Sequence, residues 1–385
     1  MRLAAMSKSV VDTAVHRVGV TDTRTKDGLS VRLFYPSRAP PANWASRPRW
    51  APHQQYVYGY LHYAMNLAEK PVLSKVLQYS LWPLVSLFKC EASWELPVAE
   101  GEFPVVVWSH GLAGMRTTYS GLLTRLVESS NVIVAAVEHA DGSACNCQHL
   151  KQDGKLEWPP YKHTDGNIGW RQEQLAKRVG DMSNALSLLE RLNSGKEQLS
   201  LGVDFAGKIQ LSDATSAGHS FGAATAIVAG DRDPRFTRTL AFDPWLFALA
   251  DEPSALDFTR TPMCVLNSEK WNPTWRTPIP GRNNMRMDTM FKARQAKRVP
   301  TLYAELAGTK HMSASDVPYL MERLMIRSAP AKLAARDVLD VFASLASAFI
   351  TEGDFAQTID ELDDLVTQQE SFKEFEEEPV ATLNA

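Results

Sequence analysis

Cysteine is scarce in this chain of 385 residues. The four, Cys90, Cys145, Cys147 and Cys264, are too few and too scattered for a disulfide framework. Long apolar runs are also missing, and none reaches the roughly 18 residues of a spanning helix. Residues 1–20 hold no apolar core with a small-residue cleavage site, so no secretory leader is expected. Arg2 stands where a myristoylation signal needs glycine. A reducing, cytoplasmic setting is therefore expected, with peripheral membrane association left open. There is no internal repeat and no glycine pattern of a P-loop or dinucleotide site. Cys145, Cys147 and His149 fall close together, but a structural zinc needs a fourth ligand and none is at ordinary spacing. No metal, cofactor or nucleic-acid partner is expected.

What is present is ordinary globular material. Hydrophobic residues make up 44% and charged residues 22%, enough for one large domain or two small ones. The net charge of −3 hides an asymmetry. Residues 352–385 carry 11 acidic side chains and one basic, Lys373, which leaves +7 on the rest of the chain. That stretch has few core-forming positions, so a disordered or loosely docked acidic tail is expected beyond a folded domain of residues 1–351.

Val15–Val20 and Leu29–Phe34 read as an antiparallel pair turning at Asp27-Gly28. Residues 56–88 begin with four tyrosines in eight positions, Tyr56 to Tyr63, and continue as a stripe at helical spacing: Leu73, Val76, Leu77, Leu81, Leu84, Phe88. Two readings stand there, a helical hairpin packed on the core or lining a substrate pocket, and a surface lying on lipid. Strands follow at 104–108, 131–137, 214–217, 239–242, 263–266 and 301–306. Helices are expected at 119–128, 170–192, 223–229, 317–326 and 338–349. Strands alternating with helices predict an α/β fold with a mainly parallel sheet covered on both faces.

Gly218-His219-Ser220-Phe221-Gly222 suits a tight strand-to-helix turn that lifts one serine above the sheet. A serine hydroxyl is a weak nucleophile and needs a base, and the base needs an orienting acid. Asp243 ends the strand after Ser220 and fits the acid; it also reads as a helix N-cap before Pro244. Asp251 and Asp257 are rivals away from any strand end. His311 follows the last strand across Gly308-Thr309-Lys310 and fits the base. His219, beside the serine, is expected to point away from it. The oxyanion hole needs two backbone N–H groups. Phe221 supplies one by turn geometry, and Leu112, in the loop after the 104–108 strand, is the choice for the other.

Ser109-His110-Gly111-Leu112, Arg116-Thr117-Thr118-Tyr119-Ser120 and the run from Val134 to Ala144 resemble the platelet-activating-factor acetylhydrolases, plasma and intracellular type II. So do the pentad, Asp243-Pro244-Trp245-Leu246-Phe247 and Gly308-Thr309-Lys310-His311. The resemblance runs from about Tyr35 to Ile350, with its motifs in family order. It implies an α/β-hydrolase, independent of calcium, that cleaves short or oxidised acyl chains at the sn-2 position of phospholipids. It puts the triad on Ser220, Asp243 and His311 and the oxyanion donors on Leu112 and Phe221. It also implies that residues 56–88 touch a lipid surface. A general carboxylesterase or lipase, or a lipid-surface binding protein without turnover, are the alternatives. The chain departs from the family at Ala214–Ala217, at Ala140 and Gly142, and in a more basic stretch from Trp271 to Arg298.

Overall fold

The computed structural model describes residues 17–40, 43–65, 71–163, 167–199, 202–250, 253–269, 271, 282–323, 334–351 and 366–368. The chain opens with a hairpin, β1 (Arg17–Arg24) and β2 (Ser30–Ser37), turning at Asp27-Gly28. Two helices follow, α1 (Gln54–Met65) and α2 (Pro71–Val85), then the short edge strand β3 (Ser93–Trp94). Strand β4 (Phe103–Ser109), helix α3 (Ser120–Ser130) and strand β5 (Ile133–Val137) start the parallel part. The long loop after β5 carries a small ribbon, β6 (His149–Leu150) with β7 (Leu156–Glu157). Helix α4 (Ile168–Asn193) leads to β8 (Ile209–His219), α5 (Phe221–Arg232), β9 (Phe236–Phe242) and β10 (Met263–Ser268). The domain closes with α6 (Arg282–Ala296), β11 (Thr301–Leu306), α7 (Val317–Arg323) and α8 (Ala335–Ile350).

With β12 (Val366–Gln368) at one edge, the main sheet runs β12-β11-β10-β9-β8-β4-β5-β2-β1-β3. From β5 to β11 all neighbours are parallel. Side chains alternate across a strand, so each inner strand feeds two cores. Val105 and Val107 of β4 join Leu175, Met182 and Leu189 of α4 on one face. Val106 and Trp108 join Leu122 of α3 and Phe342 of α8 on the other. This is the expected α/β arrangement, with its loops at the carboxyl ends of the parallel strands. Asn167 caps α4, its side chain accepting from Trp170 N at 3.0 Å.

Three stretches differ from the sequence expectation. β8 is eleven residues long rather than four: Ile209 and Gln210 pair with Phe103 and Pro104 of β4, Leu211 to Asp213 fall at a register shift, and pairing with both β4 and β9 runs from Ala214. The basic stretch 271–298 contains α6. Within 352–385, Val366–Gln368 forms β12, antiparallel to β11, and the rest lies outside the described residues.

The α1–α2 pair divides between the two readings given for it. The tyrosines of α1 turn inward. Tyr56 is fully buried and donates to Glu138 Oε1 at 2.7 Å, and Tyr60 meets Thr118 Oγ1 at 2.9 Å. α2 is inside out. Its polar Ser74 and Gln78 are buried, and Gln78 Nε2 donates to Gln54 O at 3.2 Å. Its apolar side chains face outward, with Val72 76%, Val76 56%, Tyr79 60% and Leu84 45% exposed. The outer part of the stripe therefore does not belong to the core, while Trp82, Val85 and Phe88 pack against the cluster around Trp50 and Tyr56. Among the described residues, no helix is long and apolar enough to cross a membrane.

Candidate active site

The turn from β8 into α5 lifts Ser220 out of the sheet. Ser220 has φ 58° and ψ −120°, a backbone region costly for any residue with a side chain. The strain is held by hydrogen bonds on both sides. Ser220 N donates to Phe242 O at 2.9 Å, and Ser220 O accepts from Trp245 N at 3.0 Å. Close packing also explains the final glycine of the pentad. A Cβ on Gly222 would lie 2.0 Å from Ser109 O, inside the end of β4.

Asp243 ends β9 and His311 follows β11, and the structure brings both to Ser220. His311 Nε2 lies 3.0 Å from Ser220 Oγ, and His311 Nδ1 lies 3.1 Å from Asp243 Oδ2. Asp243 does not cap a helix. Its carboxylate accepts instead from Ser268 N at 2.6 Å and Ser268 Oγ at 2.5 Å. Burial pushes this carboxyl up, but the His219 and His311 imidazoles outweigh burial and hold it well below the usual carboxylate range. Asp243 is thus ionised at neutral pH and faces the nitrogen that must carry a proton if Nε2 is to accept one from Ser220. Trp271 stacks flat on the His311 ring, with centroids 3.7 Å apart. Asp251 lies outside the described residues, and Asp257 pairs with Lys297 on the surface.

The two oxyanion candidates flank the serine. Phe221 N opens α5, so it has no acceptor within its own helix. Leu112 follows Gly111, where a Cβ would lie 3.1 Å from Ser220 Cβ, and both line the same cavity as Ser220. His219 stays beside the site, with its polar contacts to residues other than Ser220. Its Nε2 meets His311 O at 2.7 Å, so Nε2 carries the proton and Nδ1 accepts from the Tyr119 hydroxyl at 2.8 Å. Tyr119 in turn accepts from Gly111 N at 3.1 Å. One hydrogen-bond chain therefore runs from the Gly111 loop to the backbone of His311.

Behind that loop lies a second serine–histidine–aspartate array. His139 Nε2 is 2.8 Å from Ser109 Oγ, and His139 Nδ1 is 2.8 Å from Asp181 Oδ2. Ser109 and His139 are fully buried, so no ester can reach this serine. The array is a brace for the loop. Arg178 completes it, donating to His110 O at 2.7 Å and to Ser143 Oγ at 2.9 Å, with Asp141 Oδ2 at 3.3 Å. Burial, seconded by Arg178, lowers His139, so its ring stays neutral. None of these roles is visible in the motifs. The signal lies in α4, where Arg171, Gln174, Arg178 and Asp181 form a buried polar stripe at helical spacing.

Ser220 opens onto a cavity of about 460 Å³ walled by Tyr60, Tyr63, Leu112, Trp245 and Phe247. The atoms of His219, Asp243 and His311 lie within 4.8 Å of one another, a spacing that could hold a metal ion, but they already bond within the serine array. Cys145 and Cys147 are buried, and burial raises both thiols.

Comparison with known proteins follows the same outline. Platelet-activating factor acetylhydrolase of Canis lupus familiaris is 32% identical over 277 residues, 66% of this chain and 59% of that protein. The match thus spans under two thirds of that relative's length. The Bos taurus platelet-activating factor acetylhydrolase is 29% identical over 329 residues, 80% of this chain and 68% of that protein. A putative phospholipase A2 of Schizosaccharomyces pombe is 24% identical over 62% of this chain and 65% of its own. A solved ferulic acid esterase from Streptomyces cinnamoneus shares the fold, with a TM-score of 0.60, 18% identity, and coverage of 94% of this chain and 98% of that one. The sequence profile of platelet-activating factor acetylhydrolase, isoform II, matches residues 7–372, and this chain belongs to that family.

Proposed function

We propose that this chain is a serine esterase that cleaves the sn-2 ester of phospholipids carrying short or oxidised acyl chains. The observation that carries the reading is the unbroken array from Ser220 Oγ through His311 to the buried Asp243 carboxylate, opening onto a largely aromatic and apolar cavity. The family and the names of the relatives favour a phospholipid ester over a general carboxylester, and favour turnover over mere binding.

In this reading His311 Nε2 takes the Ser220 proton as the oxygen attacks the sn-2 carbonyl carbon. The Leu112 and Phe221 N–H groups hold the oxyanion. Asp243 keeps the proton of His311 on Nδ1 and stabilises the imidazolium. Collapse of the tetrahedral intermediate breaks the ester C–O bond, and His311 protonates the departing lysophospholipid hydroxyl. A water then gives its proton to His311 and attacks the acyl-serine, which releases the carboxylic acid and restores Ser220. The outward apolar face of α2 supports docking of the protein on a lipid surface beside this cavity.

Kinetics of alanine variants on a short-chain phosphatidylcholine test the reading. Ser220→Ala should lose roughly 10³-fold or more in kcat, and Asp243→Ala/His311→Ala together should be little worse than His311→Ala alone. Near-wild-type turnover in Ser220→Ala, or fully additive losses, would overturn it.

A further inference from the structure

Arg171 is only 5% exposed and lines the catalytic cavity. Among the described residues its charge meets no carboxylate in an ion pair. Nη1 donates to Gln174 Oε1 at 2.7 Å and Nη2 to Tyr161 OH at 2.9 Å, so among the described residues two of its five N–H bonds are made, both to neutral oxygens. Gln174 is fixed in this orientation because its own Nε2 donates to Asp141 O at 3.0 Å. Other buried arginines are treated differently. Arg32 is neutralised by Asp22, Arg116 by Asp22 and Glu138, and Arg178 by Asp141. Arg294 has no carboxylate but donates to the backbone carbonyls of Thr261 and Pro300. What sets Arg171 apart from Arg294 is the number of bonds, two against four, and a guanidinium held out of water with most of its N–H groups unmet is an unfavourable arrangement unless an anion completes it.

A second unfinished donor stands beside it. Trp245 also lines the cavity, and its buried indole N–H has no partner. The Arg171 guanidinium lies 6.0 Å from the Trp245 ring centroid, and the Trp245 backbone N–H is bonded to Ser220 O. Trp245 is thus tied to the serine through its backbone, and Arg171 stands over its ring. Both are fixed by packing before any ligand arrives.

We propose that Arg171 and the Trp245 indole N–H form an anion subsite of the catalytic cavity, one that takes the phosphate diester of a glycerophospholipid while its sn-2 ester lies at Ser220. The inference rests on the esterase reading above and names the group by which that site selects phospholipids over neutral esters. A planar guanidinium matches two phosphate oxygens at once, which a neutral glyceride cannot offer.

The test compares dibutyroyl phosphatidylcholine with dibutyroylglycerol, both below their aggregation limits, so that no lipid surface enters. Arg171→Gln should lower kcat/KM for the phospholipid roughly 10- to 100-fold, mostly through KM, and leave the neutral diester within about threefold of wild type. Arg171→Lys should recover part of the loss. Equal losses on both substrates would mean a structural role and overturn the subsite, as would no loss on either. Calorimetry with glycerophosphocholine provides a readout that does not need turnover. Wild type should bind it, and Trp245→Phe should bind it more weakly even if Arg171→Gln fails to fold. Equal affinity for inorganic phosphate would mark a free-anion site instead and overturn the substrate assignment. Wild type that binds glycerophosphocholine but hydrolyses neither diester would leave the subsite standing and sink the esterase reading.

Discussion

At the scale of single residues, the site is built from groups whose neighbours decide their charge. Asp243 is kept ionised by two imidazoles despite burial. Asp316 is the opposite case. Burial pushes its carboxyl up to about 7, although Gly121 N and Trp50 Nε1 both donate to it, at 2.8 and 3.0 Å. In the unfolded chain the same group titrates near 3.8. Between those two values the folded state binds more protons than the unfolded state, so this group's contribution to stability falls as pH rises from about 4 to about 7, then stays level. Asp316→Asn removes the titration. Urea unfolding should show the wild type losing stability relative to the variant across that window, by up to about 4 kcal/mol. Parallel curves for the two proteins would contradict the assignment. Residue roles differed in how far the sequence exposed them. Ser220, Asp243 and His311 were legible because a strand-end position and a chain order encode them. The contact of His219 with His311 was not, because it joins residues that only the folded sheet brings together. The same holds for Ser109, His139 and Asp181.

At the scale of elements, α2 is the one whose surface runs against the usual pattern. In a helix with Ser74 and Gln78 buried, the exposed Val76, Leu81 and Leu84 contribute little to folding, whereas Trp82 and Val85 pack against the cluster around Trp50 and Tyr56. Replacing Val76, Leu81 and Leu84 together by serine should therefore leave the melting temperature within a few degrees of wild type. The same variant should bind phosphatidylcholine vesicles more weakly and hydrolyse vesicle substrate more slowly, with turnover of a soluble short-chain ester unchanged. Sedimentation with vesicles and both rate assays check this. A large drop in melting temperature, or undiminished vesicle binding, would contradict it. Periodicity identified this helix but not its orientation, since a 3.6-residue stripe reads the same facing a core or a bilayer. α6 was missed for the reverse reason. Its Asn283, Arg286 and Arg294 are buried beside Met287, Met290 and Phe291, the arginines through hydrogen bonds to carbonyls such as Leu246 O and Thr261 O, so polar residues interrupt the inward apolar stripe. β8 extends further back than its apolar pattern, because Ile209 and Gln210 pair with β4 ahead of the irregular stretch of strand at Leu211 to Asp213.

At the scale of the whole molecule, the carboxyl ends of the parallel strands lie along one edge of the sheet, and four of them lead to the parts of the candidate site. β4 ends at the loop of Leu112, β8 at Ser220, β9 at Asp243, and β11 leads to His311. The two hydrophobic faces hold those strand ends in register, so the site inherits its geometry from the core. The alternation of strands and helices made this architecture readable in advance. The same architecture also presents two serines within hydrogen-bond reach of a histidine, Ser220 at the cavity and Ser109 behind it. The central claim is that Ser220 alone does chemistry. A fluorophosphonate reacted with the full chain, followed by peptide mapping and parallel assay of short-chain phosphatidylcholine hydrolysis, tests it most directly. The account predicts one label per chain, on Ser220, with hydrolysis lost in proportion to labelling. A label on Ser109 or any other serine, or hydrolysis that survives full labelling of Ser220, would contradict it.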